Sequence, residues 1–219
     1  MTSPFNIKYV RDFSFLAAID WSTPQWSGLD CETEVGIRPD GWRTGLNPHD
    51  TEIATVQIQL GDTVWIVHWD KNQSIKDVNS VDLFRNYLEN PVFTKCIHNA
   101  VFETSFFLRY LKAEPNKVWC SQLAEYDLAH GRSIICEGPG QWHYEVDEFD
   151  RPNWSLPGKS KPQGTTLSLG DTVYRRFGVE LDKDPLLRTS FSRGPNGSLS
   201  ESQLNYAAFD AQYARECAL

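Results

Sequence analysis

Two runs of alternating apolar and polar residues, joined by a two-residue turn, set the first limit on how this chain can fold. In 53–60, Ala54, Val56, Ile58 and Leu60 alternate with Ile53, Thr55, Gln57 and Gln59; Gly61-Asp62 follows, and 63–69 is again apolar. Such a turn between two strand-like runs predicts a β-hairpin. Upstream, 28–33 (Gly-Leu-Asp-Cys-Glu-Thr) reads as a third short strand, ending in a polar loop at 36–50 that is rich in Gly and Pro. Downstream the grammar changes. Leu83, Phe84, Tyr87 and Leu88 have helical spacing, 92–97 is a strand after Pro91, and 99–111 is a helix with Phe102, Phe106, Phe107 and Tyr110 at apolar positions. A brief strand at 118–120 and a helix at 123–129 follow; helices resume at 167–177 and from about Ser200 to the end.

Three antiparallel strands followed by βα units predict an α/β domain, a mixed five-stranded sheet flanked by helices on both faces. At 219 residues, one hydrophobic core can serve the whole chain, so 1–219 is read as a single domain. Residues 1–26, with an apolar run at 13–19, Pro24 and two tryptophans, read as a packed N-terminal extension. Residues 132–164 interrupt the rhythm with glycines, prolines, Trp142, Trp154 and a mixed charge cluster at 145–151; they read as an insertion, a hairpin with an arm.

Composition narrows the function classes. A 40% hydrophobic and 23% charged chain is an ordinary globular protein, not a disordered one. The formal net charge of -8 argues against tracking a long duplex, which needs many cations near phosphates, and suits a site that gathers carboxylates around metal ions. Five cysteines without a C-x-x-C pair weaken both a zinc site and a disulfide framework and point to a reducing compartment. The apolar stretch 15–19 is too short for a signal peptide or a membrane span, so the expected home is the cytoplasm, with no membrane partner.

The search for chemistry then turns to acids that can point to one place. Phosphodiester hydrolysis with two metals needs several carboxylates converging on the ions. Asp30 and Glu32, two apart on a strand, share a face. Glu103 falls one turn into the helix that follows Cys96-Ile97-His98, on the face of Asn99 and Phe102. Asp210 follows Tyr206 by one turn on the terminal helix, where Ala207 and Ala208 would let that helix lie close to the sheet. Each alone has a bland reading: a solvated strand face, a first-turn helix acid, a solvated helix acid.

Together they resemble the three motifs of the DEDD (DnaQ-like) 3′-5′ exonuclease superfamily in its tyrosine form. Gly28-Leu29-Asp30-Cys31-Glu32-Thr33 resembles the first motif, His98-Asn99-Ala100-Val101-Phe102-Glu103 the second, and Tyr206-Ala207-Ala208-Phe209-Asp210 the third. Between the last two, the segments 167–171, 181–183 and 199–204 are similar to ribonuclease D and to the proofreading domains of family-A DNA polymerases, and the whole resemblance covers roughly 27–217. The resemblance implies a ribonuclease-H-like fold and an enzyme that releases nucleoside monophosphates from single-stranded DNA 3′ ends with two Mg²⁺ or Mn²⁺ ions, free-standing or proofreading for a polymerase. It implies that Asp30, Glu32 and Asp210 hold the first metal, that Asp30 bridges to a second supported by Glu103, and that Tyr206 positions the attacking water. It places Thr33, Asn99 and Phe102 at the terminal nucleotide, though packing explains Phe102 equally well. Arg188 is a candidate phosphate ligand by charge, with a solvated surface arginine as the plainer reading. His98 reads as a polar strand-end residue, and Trp142 and Trp154 either stack bases or anchor a loop.

One departure and one rival stand beside this reading. The family usually has Asp where this chain has Glu103, a carboxylate one methylene longer. That leaves open a binding module with weakened catalysis, and the similarity to ribonuclease D leaves open an RNA exonuclease. Ala18-Ile19-Asp20-Trp21-Ser22-Thr23 offers a different first catalytic strand, but it lacks a second acid nearby.

Overall fold

The hairpin forms where the alternation places it. In the computed structural model, β3 (Ile53–Leu60) pairs antiparallel with β4 (Thr63–His68), Leu60 standing opposite Thr63. Gly61 takes the left-handed φ of +55° that so tight a turn demands and that glycine accepts without strain. The structure describes residues 5–34, 45–69, 78–129, 134–138, 141–144, 167–181, 184–191 and 198–219.

Around the hairpin the chain builds a six-stranded mixed sheet. It begins with β1 (Asn6–Val10), a 3-10 turn (Ser14–Ala18) and β2 (Gln25–Thr33); β5 (Phe93–Ile97) and β6 (Val118–Cys120) complete the sheet, in the order β1-β4-β3-β2-β5-β6. β2 runs antiparallel to β3 but parallel to β5, and β6 is parallel to β5. This is the expected mixed sheet flanked by helices, with one strand more than the sequence counts. The sixth is β1, which lies within the presumed extension and pairs in parallel with β4 from Asn6↔Thr63 to Val10↔Val67.

Helices α1 (Val78–Glu89) and α2 (Ala100–Leu111) cover one face of the sheet. Their Phe84, Tyr87, Leu88, Phe106, Phe107 and Leu111 bury against Leu29, Cys31, Val56 and Ile58. On the other face lies α6 (Glu201–Glu216). It starts in a capping box: Ser200 Oγ accepts from Gln203 N–H, and Gln203 Oε1 accepts from Ser200 N–H. Its face toward the sheet is made of small residues, Ala207, Ala208, Ala211 and Ala214, all buried. At its far end, Arg215 Nε donates to Trp26 O at 2.9 Å, tying α6 to the start of β2.

Helices α3 (Ser121–Ala129) and α4 (Leu169–Phe177) flank the insertion. Buried Glu125 accepts from Arg175 at 2.8 Å through one oxygen and from Arg176 at 2.5 Å through the other, joining the two helices. Within the insertion, β7 (Ile134–Gly138) and β8 (Gln141–Tyr144) form an antiparallel hairpin that contains Trp142; Trp154 lies outside the described residues. A four-residue turn of helix, α5 (Pro185–Arg188), precedes α6. Among the described residues, no helix is long and apolar enough to cross a membrane.

Candidate metal centre

The site is built where α6 crosses β2. Gly28 makes the close crossing possible: a Cβ built on it would stand 1.9 Å from the carbonyl oxygen of Ala211. The backbone of α6 therefore rests on a strand that has no side chain at that point. Asp210 precedes Ala211 on the helix, and Asp30 and Glu32 leave the same face of β2 further along the strand. Half-buried oxygens of Asp30, Glu32 and Asp210 come within 4.8 Å of one another.

Three carboxylates this close repel by about 3.5 kcal/mol per pair at an effective dielectric near 20. A divalent cation removes that repulsion. Around an octahedral Mg²⁺, with oxygens at about 2.1 Å, opposite ligands stand about 4.2 Å apart and adjacent ones about 3.0 Å, so the three oxygens would draw together on binding one ion. All three are hard oxygen donors, the chemistry that Mg²⁺ and Mn²⁺ select.

Glu103 stands behind these three on the first turn of α2, buried, and close enough to Asp30 to feel its charge. Burial first, and the Asp30 charge second, push its carboxyl well above the usual carboxylate range. Glu103 Oε2 is buried with no hydrogen-bond partner among the described residues. Cys31 lies between the acids; burial, then the charges of Glu103, Asp30 and Glu32, raise its thiol pKa. The longer arm of Glu103 thus still lies within reach of the Asp30 charge.

Tyr206 is buried one turn before Asp210, its ring 5.9 Å from that of Phe191. With Asp210 it lines a pocket of about 260 Å³ whose wall includes Val179, Leu181, Leu187 and Ser202. Asn99 caps α2 with a left-handed φ of +62°, tolerable for asparagine, and its exposed side chain makes no capping bond. Thr33 is buried and donates through Oγ1 to Gly45 O at 2.7 Å. Phe102 is half-buried with its ring 4.8 Å from Phe106, a packing contact. The backbone of Arg188 ends α5, and its side chain lies outside the described residues. His98, at the end of β5, hydrogen-bonds through Nδ1 to Ser121 Oγ at 2.8 Å.

The rival acid has a local explanation. Asp20 sits outside the strands, exposed, and accepts from Thr23 Oγ1 and from the hydroxyl and amide of Ser22. Those bonds, Thr23's foremost, hold its pKa down to about 2. It closes a turn.

Sequence reading passed over Gln57. It stands directly opposite Asp30 in the β2–β3 pairing and is fully buried. The alternation of β3 marked it as polar, but a polar strand face is ordinarily a solvated one.

Comparison with known proteins came to the same fold. A family model described as 3′-5′ exonuclease matches residues 40–218. No curated protein matches the chain by sequence. Among solved structures, a nuclease in its apo form aligns with a TM-score of 0.64 at 18% identity, over 97% of this chain and 78% of that one. Brucella melitensis NrnC bound to pGG aligns at 0.62 and 17%, over 98% and 78%. Escherichia coli RNase D, described as an exoribonuclease involved in structured RNA processing, aligns at 0.55 and 19%, over 95% of this chain and 42% of that one.

Proposed function

This chain belongs to the 3′-5′ exonuclease family, and from that premise we propose that it removes nucleoside monophosphates one at a time from single-stranded 3′ ends, using two divalent cations. The observation that carries the reading is the meeting of Asp30, Glu32 and Asp210 oxygens within 4.8 Å beside buried Tyr206. Asp30, Glu32 and Asp210 would hold one cation, and Asp30 with Glu103 would serve the other. Bound there, the cations lower the pKa of a water and neutralise the charge that develops on the leaving 3′ oxygen. The Tyr206 hydroxyl orients the attacking water, whose oxygen bonds to phosphorus as the bond from phosphorus to the 3′ oxygen breaks; the water gives up a proton and the 3′ oxygen leaves as a hydroxyl. Asn99 and Thr33 flank the terminal nucleotide, Phe102 packs behind it, and Arg188 meets a phosphate.

Single-stranded DNA is the first reading of the substrate, with proofreading for a polymerase as the setting. A second reading, RNA ends, draws support from the RNA named for RNase D and the pGG named for NrnC. The test uses 5′-labelled DNA and RNA single strands of one sequence, with Mg²⁺, Mn²⁺ or chelator. Both cations should give stepwise shortening from the 3′ end that stops with chelator and in Asp30→Asn and Asp210→Asn. The faster polymer identifies the substrate. Shortening that survives Asp30→Asn would place the chemistry elsewhere, and binding without shortening would favour a module that has lost catalysis.

A further inference from the structure

Gln57 belongs to none of the three motifs, yet β3 sets it across from Asp30, so both side chains leave the sheet on the same face. It is completely buried. Its Nε2 donates to Thr55 Oγ1 at 2.6 Å, which fixes the orientation of the amide. The other end, Oε1, is buried and has no hydrogen-bond partner among the described residues.

A buried acceptor left without a donor is destabilising. Among the described residues, the groups paired or clustered with it on this face, Asp30, Glu32 and Asp210, are carboxylates, which when ionised only accept. No described group donates to Oε1. A hydrated divalent cation brings several donors, because Mg²⁺ keeps waters in its shell when carboxylates bind it. Thr55 is itself directly opposite Glu32, so the amide and its anchor run alongside the two acids of β2, residue for residue.

We propose that Gln57 is a positioning residue of the metal centre: its Oε1 accepts a hydrogen from a water in the shell of the cation held by Asp30, Glu32 and Asp210, and Thr55 locks the amide in that orientation. The inference rests on reading the three carboxylates as a metal centre. It assigns Gln57 no contact with the nucleic acid.

The experiment measures Mn²⁺ binding to the full chain by calorimetry and by electron paramagnetic resonance of the free ion, with melting of the metal-free protein alongside. Gln57→Met keeps the volume and removes the acceptor, and Gln57→Leu serves as a second variant. Both should weaken Mn²⁺ binding about tenfold or more, the usual effect of losing an outer-sphere partner. The metal-free melting temperature should hold or rise, because an unsatisfied acceptor has gone. Gln57→Glu, which keeps an oxygen at that point, should bind Mn²⁺ far more tightly than Gln57→Met. Unchanged affinity in Gln57→Met and Gln57→Leu overturns the proposal. So does a fall in metal-free melting temperature in both, which marks Gln57 as a packing residue, and so does a Glu variant as weak as the Met variant. Mn²⁺ binding that is unaltered in Asp30→Asn overturns the metal reading itself, and this inference with it.

Discussion

Substituting Gly28 by alanine tests whether the crossing of α6 over β2 is what assembles the centre. The new Cβ would lie 1.9 Å from Ala211 O and 2.8 Å from Ala211 C, whereas ordinary contact begins at 3.4 Å. The obstacle is helix backbone and cannot rotate away, so α6 must retreat by about 1.5 Å at that point. Asp210 is the adjacent residue and moves with it. A misplacement of about 1 Å can cost roughly 100-fold in rate, so nucleotide release should fall at least that far. Overpacking also costs about 1–3 kcal/mol of stability, here at the upper end because the clash is with main chain. Urea unfolding reads the second quantity, and Mn²⁺ titration with single-turnover release reads the first on the folded fraction. Gly61→Ala is the control: nothing lies within 4 Å of its Cβ, but its φ of +55° strains any side chain. It should lose about 1–2 kcal/mol and keep its activity. A Gly28→Ala protein with parental Mn²⁺ affinity and release rate would refute the reasoning, since Asp210 would then not depend on the seating of α6.

Three further outcomes follow from the site and its frame. Tyr206→Phe keeps the buried ring and its contact with Phe191, so release should slow at least tenfold while binding of a single strand, measured by anisotropy in Ca²⁺, stays within about twofold; equal losses in both would mark a structural tyrosine. The raised carboxyl of Glu103 binds its proton more tightly in the folded state, so its stabilising contribution is complete below about pH 4.5 and is lost as pH rises through the folded value. Metal-free melting temperature should therefore decline from pH 4.5 toward neutrality, less so in Glu103→Gln, and Mn²⁺ should restore it; parallel profiles for the two proteins would remove Glu103 from the cluster. Glu125→Ala leaves Arg175 buried without its carboxylate partner and should cost about 3–5 kcal/mol in urea unfolding; a loss under 1 kcal/mol would mean that solvent reaches the arginines.

Much of this frame was legible because it rests on local chemistry. The Gly61-Asp62 turn, the alternation on either side and the helical spacing of Phe102, Phe106 and Phe107 each predict one element. The alanines at 207 and 208 foretold the close seating of α6, and motif order led to the acids that the fold gathers. β1 was not legible. Its partner, β4, follows more than fifty residues later and pairs in parallel, so no turn announces it, and Asn6 and Lys8 give a five-residue edge strand a polar look. Gln57 was hidden for a different reason. Alternation in β3 gives two faces, one apolar and one polar, yet all eight residues are buried. A polar face under a helix and a polar face under water have the same pattern; only the packing of α6 tells them apart.

The ion triad between α3 and α4 also bears on how much change in length this protein can absorb. Glu125, Arg175 and Arg176 fasten the two ends of the segment 130–168 from within the frame. Closing a chain segment costs entropy that grows only with the logarithm of its length, so doubling that segment would cost about 0.6 kcal/mol. Growth or shrinkage there is thus nearly neutral for folding, whereas one added carbon at Gly28 is not. A longer or shorter stretch between the two helices should fold on the same frame, while the crossing beneath Ala211 stays closed to any side chain.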